Sequence, residues 1–126
     1  MNNGNPGLTK NYTSDAAVSA RRIVKAGSAD GYVAQAAAAT DYLMGVSELG
    51  CTAAGDRLDI VKSGLAPVEY GGTVTRGQPL TADGNGKAVA AAPSAGSNAR
   101  LIGFAEISGV SGDIGLVDIH LSLMQG

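Results

Sequence analysis

Val117-Asp118-Ile119-His120-Leu121-Ser122-Leu123 is the stretch that decides the fold class. Val117, Ile119, Leu121 and Leu123 alternate with Asp118, His120 and Ser122. A period of two through seven residues predicts a half-buried strand, with the four aliphatic side chains on its inner face. Upstream, Asp56-Arg57-Leu58-Asp59-Ile60-Val61 alternates in the same way and stops at Ser63-Gly64. Tyr42-Leu43-Met44-Gly45-Val46-Ser47 and Leu101-Ile102-Gly103-Phe104-Ala105-Glu106 are shorter candidates. Between the strands stand turn signals: Ala29-Asp30-Gly31, Asp83-Gly84-Asn85-Gly86 and Ser111-Gly112-Asp113. Asn85-Gly86 suits a type I′ hairpin turn, whose two central residues both need positive φ. No segment after residue 40 carries a helical stripe. The Ala-rich stretch Val33 to Thr40 has helix propensity but no amphipathic pattern to dock it. The expected fold class is mainly β, a compact β-sandwich or small β-barrel.

A repeat organises these strands. Leu43-Met44-Gly45-Val46-Ser47-Glu48 returns as Leu101-Ile102-Gly103-Phe104-Ala105-Glu106, a shift of 58. Gly55-Asp56 returns as Gly112-Asp113, a shift of 57, and Leu58-Asp59-Ile60 as Val117-Asp118-Ile119, a shift of 59. Asp30-Gly31 before an Ala-rich stretch returns as Asn85-Gly86 before another, a shift of 55. Small drifts of this kind are what loop insertions produce. The expected organisation is one β domain over 17–126, with repeat-related halves at about 17–64 and 65–126. Residues 1–16, with four Asn, two Gly and Pro6, show no periodicity and read as an extended N-terminal arm.

A chain of 126 residues holds one domain. Nine Lys and Arg against 11 Asp and Glu leave a formal net charge of −2, without the basic face of a nucleic-acid binder. Counting along the sequence gives 21 Ala beside 19 Gly, and only five aromatic residues: Tyr12, Tyr32, Tyr42, Tyr70 and Phe104. Large core-forming side chains are therefore scarce, and a chain this short buries only about two-thirds of its unfolded surface. Self-association is the expected remedy. The N-terminus has no basic n-region and no apolar h-region, so synthesis in a cytoplasm without export is expected. No apolar run approaches the ~20 residues that span a bilayer, so no membrane partner is expected. Cys51 is the only cysteine, which forbids an intramolecular disulfide and reads as a small apolar side chain.

The residue types of catalysis do not come together. Nucleophilic chemistry needs a nucleophile, a base and an orienting group. The only His is His120, on the polar side of a predicted strand, and Cys51 stands on a predicted turn with nothing to pair them. Asp83-Gly84-Asn85-Gly86-Lys87 fails as a phosphate loop, with Thr81 and Ala88 at the deciding positions. It fails as a calcium loop because Lys87 stands where an oxygen ligand belongs. Glu48 and Glu106 are repeat-related, and each ends a strand where carboxylates are ordinarily solvated. Arg21, Arg22 and Lys25 make a small basic cluster that reads as a salt-bridge patch. No catalytic, cofactor-binding or metal-binding residue is expected, and no enzyme activity.

The arm admits two readings from composition: a disordered tail, or a segment that orders on a partner. Leu8, Lys10 and Tyr12 share parity in an extended chain, which places all three on one face.

The second half follows V-x-x-G-x-x-L-x-x-D-x-x-G-x-A, from Val74 through Gly77, Leu80, Asp83 and Gly86 to Ala88. Leu101-Ile102-Gly103-Phe104-Ala105, Gly112-Asp113 and the final strand come next. Tyr42-Leu43-Met44-Gly45-Val46 and Ala53-Ala54-Gly55-Asp56-Arg57-Leu58 echo this in the first half, and Ser63-Gly64-Leu65-Ala66 with Val68 forms the link. Over about residues 20–122 the sequence resembles the capsid cement, or head decoration, proteins of tailed bacteriophages. The resemblance implies a non-enzymatic structural protein, often trimeric, on the outer surface of an icosahedral virion. There it would clamp neighbouring major capsid subunits and stabilise the expanded shell. The arm lies outside this resemblance, and its role is inferred separately. An extended segment can add a strand to an exposed sheet edge, which makes Leu8, Lys10 and Tyr12, on one face, candidate capsid contacts. A virion-surface adhesin or carbohydrate-binding β module is the alternative, although such modules present exposed aromatics. A carrier domain modified at Lys87 is a more distant one.

Overall fold

Short alternating segments punctuated by Gly-Asp turns fold into eleven strands in the computed structural model, which describes residues 4–126. Met1 to Asn3 of the expected arm lie outside the described residues. The strands are β1 (Asn5–Pro6), β2 (Thr9–Ser14), β3 (Arg22–Ala26), β4 (Tyr32–Gln35), β5 (Leu43–Ser47) and β6 (Arg57–Val61), followed by β7 (Gly64–Glu69), β8 (Pro79–Ala82), β9 (Ala88–Ala90), β10 (Asn98–Ala105) and β11 (Ile114–Gln125). No described residue is helical. The Ala-rich stretch begins as β4 and continues as a loop, because Asp41 Oδ2 accepts the N–H groups of Ala37 at 2.8 Å and Ala38 at 3.0 Å.

Strands β2, β4, β3, β5 and β6 close into a barrel in that order. The later strands form a six-stranded sheet ordered β1-β7-β11-β10-β8-β9. Apart from β1, the two assemblies have the same connectivity: β4-β3-β5-β6-β2 corresponds to β9-β8-β10-β11-β7. The correspondence extends to individual bonds. Ser14 N–H donates to Asp56 O at 2.8 Å, and Tyr70 N–H donates to Asp113 O at 2.8 Å. Gly55 N–H returns to Ser14 O at 2.8 Å, and Gly112 N–H to Tyr70 O at 2.9 Å. The parallel pair Ser14–Val33 that closes the barrel has its counterpart in the single bridge Tyr70–Ala88. The sheet therefore curls toward a second, almost closed barrel.

These bonds move the start of the repeat. Strand β2 is the repeat counterpart of β7, so the first half begins inside the expected arm and not at residue 17. The reading of 1–16 as a segment separate from the β domain is corrected accordingly. Thr9 to Thr13 pair antiparallel with β6, and Thr13 and Ser14 pair parallel with β4. Without β2 the barrel stays open between β4 and β6.

Gly45 and Gly103, the glycines shared by the repeated strands, explain why that motif is kept in both halves. A Cβ at Gly45 would run into the carbonyl of Val61, and one at Gly103 into that of Asp118. Each lies where a strand pair slips register, at Val24/Lys25 opposite β5 and at Leu101/Gly103 within β10. The 83–87 hairpin is present, but its turn is not type I′. Only Gly86 has positive φ, at 72°. Gly86 N–H donates to Asp83 O at 3.2 Å, and Asp83 Oδ1 accepts the N–H groups of Asn85 at 2.8 Å and Lys87 at 2.9 Å. The Asp83 carboxylate thus holds a type I turn followed by a left-handed glycine, which removes the need for positive φ at Asn85.

Two cores result. The barrel interior holds Tyr12, Val18, Val24, Val33, Leu58 and Ile60. A larger core joins barrel residues such as Ile23, Val46 and Val61 to Val68, Tyr70, Leu80, Ile102 and Val117 of the sheet. Strand β3 is the shared wall: Ile23 faces one core and Val24 the other. Glu69 adds a polar tie, accepting from Arg22 Nη1 of the barrel at 3.0 Å and from Lys87 Nζ of the hairpin at 2.9 Å. Both cations hold its carboxyl below the usual carboxylate range, Lys87 contributing most and burial opposing it.

The expected inner face of the last strand is only half realised. Val117 and Ile119 are buried, whereas Leu121 and Leu123 are exposed. Strand β7 covers β11 only as far as the pair Asp118–Leu65, and beyond the register slip β10 and β11 continue as a two-stranded hairpin.

Candidate functional site

The three residues singled out on the N-terminal segment end in different environments. Leu8 precedes β2 and is 58% exposed. Its N–H donates to Ser63 Oγ at 2.7 Å, and Lys62 N–H donates to its carbonyl at 2.8 Å, so the segment is fastened before the barrel begins. Lys10 is exposed and pairs with Ile60 across the β2–β6 ladder. Tyr12 is 4% exposed and belongs to the barrel core. Lys10 and Tyr12 do share a face, since Lys10 Nζ lies 5.0 Å from the Tyr12 ring centre, with Lys62 Nζ at 5.4 Å. That face turns inward at Tyr12, which therefore anchors the segment internally and leaves Leu8 and Lys10 outside.

The other candidates are held in structural contacts. His120 has an exposed side chain, with Nε2 at 3.5 Å from Asp118 Oδ2 and its ring edge-on to Phe104. Cys51 bridges to Val18 and packs on the barrel core. Arg22 pairs with Glu69, and Lys25 Nζ lies 3.7 Å from Asp41 Oδ2. Lys87, at the hairpin tip, is engaged by Glu69.

What sequence reading missed is a set of large apolar side chains left outside: Tyr32, Tyr42, Leu49, Phe104, Val110, Leu121 and Leu123 besides Leu8. Leu49 is 88% exposed on a turn between Glu48 and Gly50. An apolar residue in a polar turn is a readable signal, and it was available. Leu121 and Leu123 gave the opposite signal, because their alternation matches a buried strand. They line a groove of about 300 Å³ with Tyr42, Leu43, Arg100 and Leu101. The Arg100 guanidinium lies 5.1 Å from the Tyr42 ring centre, which occupies one face that a sugar would need for stacking. A second groove, of about 330 Å³, runs along β2 and β6 between Pro6, Asn11, Arg57, Asp59 and Leu49. Its polar wall is a ladder in which Arg57 Nε donates to Asn11 Oδ1 at 2.6 Å and Asn11 Nδ2 donates to Asp59 Oδ1 at 3.0 Å. The surface offers apolar knobs and satisfied polar ladders, which suits contact with another protein more than chemistry.

Comparison with known proteins agrees with this geometry. Curated protein sequences contain no match. Among solved structures, the chain is similar to the N-terminal base of the head fibre protein of bacteriophage phi29, with a TM-score of 0.68 and 20% sequence identity. The match covers 94% of this chain and 98% of that one, and it establishes a shared fold. The family model described as phage cement protein matches residues 1–115, which takes in β2, the whole barrel and all of the sheet strands up to the start of β11. With nine-tenths of its length inside that model, the chain belongs to the phage cement protein family and is a structural protein of the phage capsid.

Proposed function

We propose that this protein binds the outer surface of an icosahedral phage shell as a homotrimer and clamps neighbouring major capsid subunits of the expanded lattice. The observation that carries this reading is the family match over residues 1–115. Protein that binds the assembled lattice and not free subunits stabilises the lattice by mass action, and many copies sum weak contacts into resistance against internal pressure. In this reading the protein is made in the host cytoplasm and has no catalytic role. Leu8 and Lys10 belong to the capsid contact, with Tyr12 as the buried anchor that orients them. Their support is placement: β1 pairs with β7 of the sheet and β2 with β6 of the barrel, so the segment that displays Leu8 straddles both assemblies. A load applied there is shared by both cores.

Sedimentation of purified protein with expanded shells and, separately, with free capsid protein tests the reading. Co-sedimentation with shells at saturating stoichiometry, and none with free subunits, is expected. Equal affinity for free subunits, or no binding to shells, overturns it.

A further inference from the structure

We propose that copies of this protein meet head to tail, the Leu49 turn of one filling the groove beside Tyr42, Leu121 and Leu123 of the next. The inference deepens the trimer just proposed and rests on that part of the reading.

Knob and groove stand at opposite ends of one strand. Strand β5 begins at Leu43, in the wall of the groove, and ends at Ser47, where the Leu49 turn starts. Leu43 and Ser47 stand four residue steps of about 3.3 Å apart, so the groove wall and the start of the turn are separated by roughly 13 Å along the strand. The turn is preset, since Gly50 N–H donates to Ser47 Oγ at 2.9 Å, so presenting Leu49 costs little ordering entropy. Leu49 is held 88% exposed on a fastened turn and is not among the residues that line the groove of about 300 Å³, so the two do not fill each other within one copy. Contact between two unlike patches is heterologous, and it closes into a ring when the rotation between copies permits.

Charge at the two rims is complementary. Arg100 lies along the groove against Tyr42, and among the described residues no carboxylate is within 4.0 Å of it. Glu48, exposed beside Leu49, likewise makes no ion pair among the described residues. Seating Leu49 in the groove brings Glu48 of one copy to Arg100 of the next. Two like copies placed groove to groove would instead oppose Arg100 with Arg100. One leucine with its rim is a small contact beside the ~1,200 Å² of a stable interface, so it is weak in dilute solution and strengthened where the shell holds copies side by side.

Cysteine pairing tests the contact directly. In a Cys51→Ser background, Leu49→Cys and Leu123→Cys variants are prepared separately, mixed and oxidised, in solution at high concentration and on shells. A disulfide between unlike variants, absent when either is oxidised alone, is expected. Glu48→Arg and Arg100→Glu should each weaken self-association at least tenfold by sedimentation, and the two changes combined in one chain should recover it. Leu49→Asp should abolish self-association while single copies still bind shells, which separates failure of this contact from failure of shell binding. The proposal is overturned by like-with-like disulfides, by wild-type copies that stay monomeric both in solution and on shells, or by a Leu49→Asp variant that associates normally but no longer binds the shell.

Discussion

The Glu69 carboxylate lies 3.0 Å from the Arg22 guanidinium, and this pair crosses from the sheet to the barrel. Lys87 approaches the other carboxylate oxygen at 2.9 Å, so one acid ties β7, β3 and the 83–87 hairpin together. The same junction is supported by backbone, with Glu69 N–H donating to Arg21 O at 3.1 Å and Ile23 N–H to Gly86 O at 2.8 Å.

This arrangement makes stability depend on acid pH. The carboxyl of Glu69 titrates below its ordinary value of 4.5 in the folded protein. A lowered folded-state value stabilises the fold at pH above the unfolded value, and that contribution is lost as pH falls through the folded one. Glu69→Gln should cost about 1–2 kcal/mol at pH 7. Thermal melts of both proteins between pH 7 and pH 2 should show the difference shrinking below about pH 4.5. A difference that stays constant to pH 2 would show that the ion pairs contribute nothing.

Tyr70 should be intolerant of change in itself and around it. It is fully buried, its hydroxyl donates to Ile107 O at 2.7 Å, and burial pushes its phenol above the usual tyrosine range. Tyr70→Phe leaves that carbonyl without its donor and should cost about 1–2 kcal/mol. Gly115 packs directly on the phenol ring, where a Cβ would overlap it. Gly115→Ala should therefore cost about 1–3 kcal/mol or prevent folding. Urea unfolding measures both, and wild-type midpoints in either variant would contradict this packing.

Removing residues 1–14 should open the barrel, because β2 supplies the pairing for both β4 and β6. Tyr12→Ala should cost about 3 kcal/mol or more through the cavity it leaves in the barrel core. Circular dichroism and hydrogen exchange of β4 and β6 amides read the loss. A truncated protein with native exchange protection would restore the view of this segment as a separable arm.

Leu8 offers a change that spares the fold. Leu8→Asp alters an exposed side chain and keeps the backbone bonds to Ser63 and Lys62. Its melting temperature should match wild type within a degree or two, while affinity for shells falls at least tenfold, about 1.4 kcal/mol. Unchanged decoration of shells would remove Leu8 from the capsid contact.

The sequence by itself determined that the fold is β, that it is built twice, and where the turns lie. Those properties are local: alternation sets strand faces, and glycine with aspartate sets turns, as at Gly55-Asp56 and Gly112-Asp113. It could not show β3, because Ile23 and Val24 are neighbours that face two different cores, and a strand buried on both sides loses its alternation. Nor could it show β2, whose polar TKNYTS reads as solvated until β6 and β4 supply its ladder partners. The tertiary structure decided which apolar residues stay outside. Leu121 and Leu123 carry the same pattern as Val117 and Ile119, but β7 ends at Asp118–Leu65 and leaves them uncovered. Alternation records which side of a strand a residue is on, whereas burial depends on whether another element reaches that side.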